Sequence, residues 1–345
     1  MQNAAPAAAA DFVPGEIFAR LNGAMEKKGA AVGVCAMMAA SYVAVLYLPA
    51  IFLRSPKSIR EHMLRRFACA AVASALAPML CYALLPDHPR WDSDPSIVLE
   101  IFGLRTHHLW QAIVLPCLLT GMLYLGPLVL AFLDLIEWCW AASHGGLIRQ
   151  ICSVVVVNGK NMASDVLVWR NCLVAPVSEE LVFRACMVPL LLCGGFSTTA
   201  TVFLCPMFFA LGRSCSPPAT HLHHFGELIT RQKQVISTAA LIVGMQLGYT
   251  TVFGWYATFL YQRTGHLIAP IVAHIVCNIM GLPNVDEALA SSHRRVLFVA
   301  YVVGLVGFFL VLGPLSDPRF FNEGGDSRGC DCWSGFCKWT APQKL

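Results

Sequence analysis

The chain has 345 residues, of which 57% are hydrophobic and 13% are charged, and its mean hydropathy is +0.62. Soluble domains carry about a quarter charged residues, so this composition predicts an integral membrane protein. The formal charge of +4 is small, and no basic cluster is interleaved with aromatic residues, so nucleic-acid binding is not expected.

Residues 1–28 form a mixed polar tail without the pattern of a signal peptide, so the first membrane helix is expected to direct insertion. Residues 29–316 are the predicted membrane-embedded domain, whose apolar runs approach or exceed the length of about 20 residues that a span needs. They predict an all-α, polytopic membrane helix bundle of about eight transmembrane helices. The predicted helices cover residues 29–53, 67–86, 109–133, 172–192, 198–212, 235–260, 264–285 and 296–316.

The flanking charges predict an orientation for this bundle. Five basic residues lie within residues 54–66, and an acidic loop occupies residues 87–95. By the positive-inside rule the basic segment faces the cytoplasm and the acidic loop faces the opposite side. Residues 134–170 fit either an interfacial helix with a re-entrant segment or a poorly marked span. No internal repeat supports a transporter built from inverted halves.

The apolar run at 172–192 contains Glu179, Glu180 and Arg184. An ionisable residue at bilayer depth costs at least about 2.5 kcal/mol, so three together suggest a functional site. On a helix Glu180 and Arg184 share a face and can pair, whereas Glu179 lies about 100° away. We therefore expect Glu180–Arg184 to be a structural pair and Glu179 to be the reactive group. The alternative is a helix-end salt bridge without chemistry.

Two further polar groups occur downstream. His221, His223 and His224 crowd one short stretch, and either one of them faces Glu179 or all three form a solvated interfacial cluster. His274 and Asn278 lie four residues apart on an apolar helix, so they share a face. Two polar side chains on one face of such a helix are expected to contact a common partner or to line a cavity. The alternative for this second pair is interhelical packing, worth about 0.6 kcal/mol per contact.

Together these positions supply a carboxylate, imidazoles and an amide. A glutamate in a low-dielectric site can act as a general base near neutral pH, and histidine and asparagine can hydrogen-bond the oxyanion of a peptide under attack by water. This chemistry predicts a protease. A zinc-dependent membrane protease is the competing hypothesis, although no His-Glu-x-x-His pattern is present.

The same residues resemble the motifs of the type II CAAX prenyl endopeptidases, a group of glutamate intramembrane proteases. The resemblance covers residues 170–285 and rests on Glu179-Glu180-x-x-x-Arg184, the histidines from His221, and His274-x-x-x-Asn278. The sequence departs from the family pattern at residues 213–219, which look like an insertion before the histidines. The choice among His221, His223 and His224 therefore stays open.

The resemblance implies a multi-pass protein of the endoplasmic reticulum membrane whose intramembrane catalytic cavity is reached from the cytosol. It implies removal of the a-a-X tripeptide from farnesylated or geranylgeranylated Cys-a-a-X proteins such as small GTPases, without a cofactor or metal, and with the isoprenoid lying between helices open to membrane lipid. A non-catalytic membrane scaffold of the same fold is the alternative. The implied catalytic residues are Glu179 as the base, His221, and His274 and Asn278 at the oxyanion, with Glu180, Arg184 and His224 in support.

The 15 cysteines lie mostly inside apolar runs, where a thiol behaves as a small hydrophobe, so a disulfide framework is not expected. Residues 317–345 form a polar tail that contains Cys330, Cys332 and Cys337. This tail could bind a metal or be S-acylated. A reduced, exposed tail is the favoured interpretation, because metal sites usually present four ligands.

Overall fold

The computed structural model describes residues 28–85, 96–141, 164–214, 236–283 and 285–322. Every regular element in these ranges is a helix, so the predicted all-α fold is confirmed. The α-helices are α1 (Lys28–Phe52), α2 (Ile59–Leu84), α3 (Ser96–Ile101), α4 (Leu109–Leu123), α5 (Leu125–Ala141), α6 (Val166–Trp169), α7 (Ala175–Glu180), α8 (Met187–Cys193), α9 (Thr198–Ser214), α10 (Ile236–Thr264), α11 (Ile268–Met280), α12 (Val285–Ala290) and α13 (Arg294–Leu315).

Helices α6, α7 and α8 are joined into one long helix, called the motif helix here, which spans residues 166–193. Two π-helical turns, Arg170–Val174 and Leu181–Cys186, connect its three α-helical parts. The motif helix begins at Asp165, whose side chain accepts a hydrogen bond from the Leu167 N–H at 2.8 Å. It ends before Gly195, which adopts a φ of +85° and turns the chain toward α9. The predicted break between residues 192 and 198 is therefore confirmed.

Helix α2 begins earlier than the apolar run predicts, and its start is explained by capping. The Ser58 hydroxyl accepts a hydrogen bond from the Glu61 N–H at 3.1 Å. Glu61 in turn accepts from the Lys57 N–H at 2.8 Å and pairs with Arg65 one turn later. These contacts satisfy N–H groups that a helix start leaves without partners. Part of the basic segment 54–66 is therefore helical.

The described ranges contain three single helices that are long and apolar enough to cross a membrane, at Lys28–Pro49, Ile59–Leu84 and Arg294–Leu315. Helices α4 and α5 would form a fourth span if the bent pair is counted as one. By length and composition this is fewer than the eight predicted spans, and α9 and α11 are shorter apolar helices. The number eight stays a prediction.

The predicted uninterrupted span at 109–133 is wrong, because the chain bends by 82° between α4 and α5. Pro127 has no N–H for the Leu123 carbonyl, and its ring disfavours a continuous helix through that point. Tyr124 leaves the helical conformation, and its hydroxyl lies 2.7 Å from that of Tyr249. A Cβ on Gly126 would come within 2.6 Å of the Tyr301 ring, so this close packing also requires a glycine.

The motif helix lies at the centre of the described bundle, where it packs against α1, α2, α9 and α11. The main hydrophobic core surrounds its second half, in which residues 182–193 are all buried. A smaller apolar cluster forms where α4, α10, α11 and α13 meet, around Leu119, Leu260, Ala273 and Phe308. The histidines His221, His223 and His224 and the cysteines of the C-terminal tail lie outside the described residues.

Candidate active site

The two adjacent glutamates of the motif helix have different surroundings. The Glu180 side chain is completely buried, whereas 22% of the Glu179 side chain is exposed. Successive residues on a helix point about 100° apart, so one carboxylate faces the packed core and the next faces a cavity. The sequence alone predicts this division, because only Glu180 can share a face with Arg184.

Glu180 is held by a buried network of charged and polar groups. Arg184 Nη1 lies 3.0 Å from both carboxylate oxygens of Glu180. Arg184 Nη2 donates to the Gly254 carbonyl on α10 at 3.3 Å. A buried charge is tolerated only when it is paired and hydrogen-bonded. The ion pair and the Gly254 carbonyl engage both terminal nitrogens of Arg184, whereas its Nε has no hydrogen-bond partner among the described residues. The expected Glu180–Arg184 contact is therefore present, and it also ties the motif helix to α10.

His274 on α11 bridges the two glutamates. Its Nδ1 lies 2.7 Å from Glu180 Oε1, and its Nε2 lies 4.0 Å from Glu179 Oε2. An ionised carboxylate can only accept hydrogen bonds, so Nδ1 carries the proton in this contact. The ring also packs against Phe253, with 4.9 Å between centroids. These contacts fix the imidazole with Nε2 directed toward Glu179.

Asn278 lies one turn beyond His274 but has a different partner, so the expected common partner for this pair is not present. Its amide Nδ2 donates to the Asn171 carbonyl at 2.8 Å. The local sequence explains why that carbonyl is free. The Ala175 N–H bonds to the Arg170 carbonyl in the π turn, and the next residue, Pro176, has no N–H to offer. Asn278 supplies the donor that the helix lacks.

Glu179 lines a cavity between the motif helix, α1 and α2. The neighbouring Ser178 hydroxyl lies 2.9 Å from the Tyr42 hydroxyl and donates to the Val174 carbonyl at 2.6 Å. The cavity therefore has a polar wall next to the exposed carboxylate and apolar side chains elsewhere. Its polar wall includes Tyr42, Tyr47, Arg66, Arg170, Ser178 and Glu179.

Sequence reasoning missed a set of thiols that contact the second half of the motif helix. Cys205 donates to the Phe183 carbonyl at 2.9 Å, Cys81 to the Cys186 carbonyl at 3.3 Å, and Cys35 lies 3.9 Å from the Met187 carbonyl. These cysteines come from α9, α2 and α1, so no spacing within one helix could reveal them. Their thiols are free, as the sequence predicts, but Cys193 is disulfide-bonded.

In the described ranges, no three side chains of histidine, cysteine, aspartate or glutamate converge in a way that could hold a metal ion. His274 contacts both Glu179 and Glu180, and Arg184 forms an ion pair with Glu180. The arrangement offers one engaged carboxylate, one exposed carboxylate and an oriented imidazole. Such a set can move a proton between Glu179 and a molecule bound in the cavity.

These features define a helical membrane protein with a buried carboxylate–imidazole cluster at a cavity wall. A model of the family described as type II CAAX prenyl endopeptidase, Rce1-like, matches residues 163–280. The CAAX prenyl protease 2 of Arabidopsis thaliana is 44% identical over 317 residues, which cover 90% of this chain and 96% of that protein. The CAAX prenyl protease 2 of Homo sapiens is 37% identical over 293 residues, covering 84% and 82% respectively. No solved structure matches.

An identity above 40% over nearly the full length of both chains leaves no ambiguity about kinship. The chain belongs to the family of type II CAAX prenyl endopeptidases, and it is a membrane peptidase. The family match covers the whole motif helix and ends with Met280, the last residue of α11. The matched segment therefore contains every contact among Glu179, Glu180, Arg184, His274 and Asn278 described above.

Proposed function

We propose that this peptidase removes the a-a-X tripeptide from prenylated proteins that end in Cys-a-a-X, with Glu179 as the base that activates the attacking water. The names of its relatives support this substrate class. Farnesylated or geranylgeranylated small GTPases are the proposed substrates. The observation that carries the proposed mechanism is the contrast between two adjacent glutamates, of which one is engaged and the other faces a cavity.

The spacing between Glu179 and His274 suits a bound water. The 4.0 Å between Glu179 Oε2 and His274 Nε2 is too long for a direct hydrogen bond. A water about 2.8 Å from each atom fits between them, and polar contacts beyond 3.5 Å are commonly bridged in this way. Such a water is already within proton-transfer distance of the proposed base.

The proposed reaction then follows ordinary peptide hydrolysis. Glu179 takes a proton from the water as the oxygen attacks the carbonyl carbon of the prenylated cysteine. In this proposed step His274 is an imidazolium, with its Nδ1–H held by Glu180 and its Nε2–H donated to the resulting oxyanion. The oxyanion also accepts from the second N–H of the Asn278 amide, the first being held by Asn171. The C–N bond breaks as Glu179 returns the proton to the leaving amine. Glu180 and Arg184 position His274 and do not touch the substrate.

The histidine stretch and the cellular setting complete the proposal. His221 is the proposed second essential position, with His224 in support, on the basis of the sequence resemblance. The proposed setting is the endoplasmic reticulum membrane, with the prenyl chain lying among lipids between helices. The basic residues near the start of α2 support access from the cytosol, since cytoplasmic segments carry an excess of lysine and arginine.

The test measures release of the tripeptide from a farnesylated peptide by membranes that carry the wild type, Glu179→Gln or Glu137→Gln, each with and without a chelator. Glu137 is a matched control, because it is exposed and lies 3.3 Å from His293. We expect Glu179→Gln to lower the rate by about 10²- to 10⁴-fold, the usual contribution of a general base, and Glu137→Gln to match the wild type.

Each other outcome identifies a different alternative. Turnover that survives in Glu179→Gln would reject the proposed base. Loss of wild-type activity with chelator and its recovery with zinc would favour the zinc-dependent protease. Cleavage by none of the three proteins would reject the proposed substrate class. A parallel comparison of His221→Ala, His223→Ala and His224→Ala identifies which histidine is essential.

A further inference from the structure

The cavity beside Glu179 has three helical walls with regular spacing. On α2, Met63, Arg66, Phe67 and Ala70 line it, and these residues lie three, four and seven positions from the first. Side chains at this spacing share one face of a helix. One face of α1 and one face of the motif helix close the other sides, and Phe209 of α9 completes the lining. The cavity is therefore built by the packing of helices and not by a surface loop.

The side chains that line this cavity include more cations than carboxylates. Glu179 is its only carboxylate among the lining residues, and two guanidinium groups, from Arg66 and Arg170, line it as well. The carboxylate of Glu179 is the proposed base and must stay available for water. A cavity wall that carries the Arg66 guanidinium beside a working carboxylate is suited to a ligand that brings a negative charge of its own.

Of the two cations, Arg66 is the one whose surroundings suit it to binding a ligand. It is half-buried, and its guanidinium carbon lies 5.7 Å from the centroid of the Tyr47 ring. Among the described residues, no carboxylate lies within salt-bridge distance of it, whereas its neighbour Arg65 pairs with Glu61. A cation–π contact with an aromatic face helps to hold a guanidinium in place and leaves its N–H groups able to bind a carboxylate in a bidentate manner.

We propose that Arg66 binds the C-terminal carboxylate of the substrate, that is, the carboxylate of residue X. This inference rests on the proposed function, because a Cys-a-a-X substrate brings that negative charge into the site. Arg66 and Glu179 line the same cavity, and the three residues of the tripeptide reach at most about 11 Å when extended. The inference therefore requires the scissile bond at Glu179 to lie within that distance of Arg66. The apolar side chains of Met63 and Phe67 suit the two aliphatic residues between them.

Binding of the substrate carboxylate by Arg66 would also determine which peptide bond is cleaved. A carboxylate fixed at Arg66 places the peptide bond three residues upstream against Glu179. A substrate with a C-terminal amide loses the ionic contact, and a substrate with one extra residue moves the scissile bond out of register. Arg66 also lies only about two helical turns from the start of α2. On the proposed orientation the charged terminus therefore binds near the cytosolic side.

The test compares two farnesylated peptides that differ only in a C-terminal carboxylate or carboxamide. Membranes carry the wild type, Arg66→Gln, Arg66→Lys or Arg60→Gln. Arg60 is a matched control, because it is exposed on the same helix and does not line the cavity. We expect the wild type to prefer the acid by about 10- to 100-fold in kcat/KM, mainly through KM, as for a hydrogen-bonded charge.

Arg66→Gln should lower acid cleavage to the amide level while amide cleavage changes less than about twofold, and Arg66→Lys should keep part of the preference for the acid. Arg60→Gln should behave as the wild type. Equal cleavage of both peptides by the wild type would overturn the inference. So would an equal fall for both peptides in Arg66→Gln, which indicates a structural role beside Tyr47. Cleavage of neither peptide by the wild type would instead reject the proposed function on which the inference rests.

Discussion

The two halves of the motif helix carry adjacent glutamates but place them in different environments. In the first half, all of residues 170–179 except the buried Pro176 and Ser178 are at least partly exposed, and several of them line the cavity. In the second half, Glu180 and residues 182–193 are buried. Each half contains one π-helical turn, and such turns are frequent at functional sites. The chemical type of the two glutamates is the same, so their neighbours decide what each can do.

The two halves also satisfy their backbone carbonyls differently. Thiols of Cys81 and Cys205 donate to carbonyls in the buried half, from helices that pack against it. In the exposed half a single amide, that of Asn278, fills the same need for Asn171. The buried half is therefore held by thiols from two other helices, and the exposed half by the Asn278 amide of α11 and by the contact of Ser178 with Tyr42 of α1. This difference suits a rigid support next to a face that must admit water and a peptide.

The largest effect on stability is expected from Arg184→Met, which breaks the support in the buried half. It leaves Glu180 buried without its ion-pair partner, and such a loss costs about 3–5 kcal/mol of unfolding free energy. The midpoint of thermal unfolding in detergent micelles measures it. The double variant Glu180→Gln with Arg184→Met removes both charges and should recover most of the loss. An unchanged midpoint for Arg184→Met alone would mean that the buried pair does not support the fold.

A smaller effect on stability is expected from Gly254→Ala. This substitution disturbs the packing around Arg184 in the buried half without changing a charge. A Cβ at residue 254 would lie 2.6 Å from Pro206 Cβ and 3.4 Å from Arg184 Nη2. Overpacking of this kind costs about 1–3 kcal/mol. Gly248→Ala is the matched control, because no atom lies within 4 Å of a Cβ at that position of the same helix. It should be neutral or stabilising by up to about 1 kcal/mol in the same unfolding assay. Equal midpoints for both variants would contradict this packing.

The features that depend on helical spacing and on apolar length could be predicted from the sequence. Helical spacing is enough to pair Glu180 with Arg184, to separate Glu179 from that pair, and to place His274 and Asn278 on one face. These are contacts within one helix or faces of one helix, and both follow from local geometry. The bounds of α1 and α13 follow equally well from apolar length, since residues 29–53 and 296–316 are predicted and Lys28–Phe52 and Arg294–Leu315 are observed.

Other features depend on tertiary contacts or on competition between backbone donors, which a single sequence does not reveal. The bend between α4 and α5 needs Pro127 together with the packing of Gly126 against Tyr301. The thiol contacts join residues that are 22 to 152 positions apart. The separate partner of Asn278 depends on a π turn just before Pro176. A proline inside a motif is visible in the sequence, but which carbonyl it leaves free depends on the local helix type.

The smallest expected effect concerns Asn278, which donates to the Asn171 carbonyl and is also the proposed donor to the oxyanion. Asn278→Ala removes the donor to the Asn171 carbonyl, which should lower the unfolding free energy by about 1 kcal/mol. In a Pro176→Ala background the restored N–H at residue 176 can donate to that carbonyl, so the same substitution should cost less. A double-mutant cycle of thermal stability measures the difference.

Activity provides the other half of this cycle. If Asn278 donates to the oxyanion, Asn278→Ala lowers kcat by the same factor whether residue 176 is proline or alanine, because the backbone donor cannot replace the amide at the substrate. A loss of kcat that disappears in the Pro176→Ala background would assign Asn278 to anchoring the exposed half alone. If Asn278→Ala lowers the stability equally in both backgrounds, the contact with the Asn171 carbonyl is not the source of the stability that Asn278 contributes. The two measurements therefore tell whether the exposed half is held in place by the same group that serves the reaction.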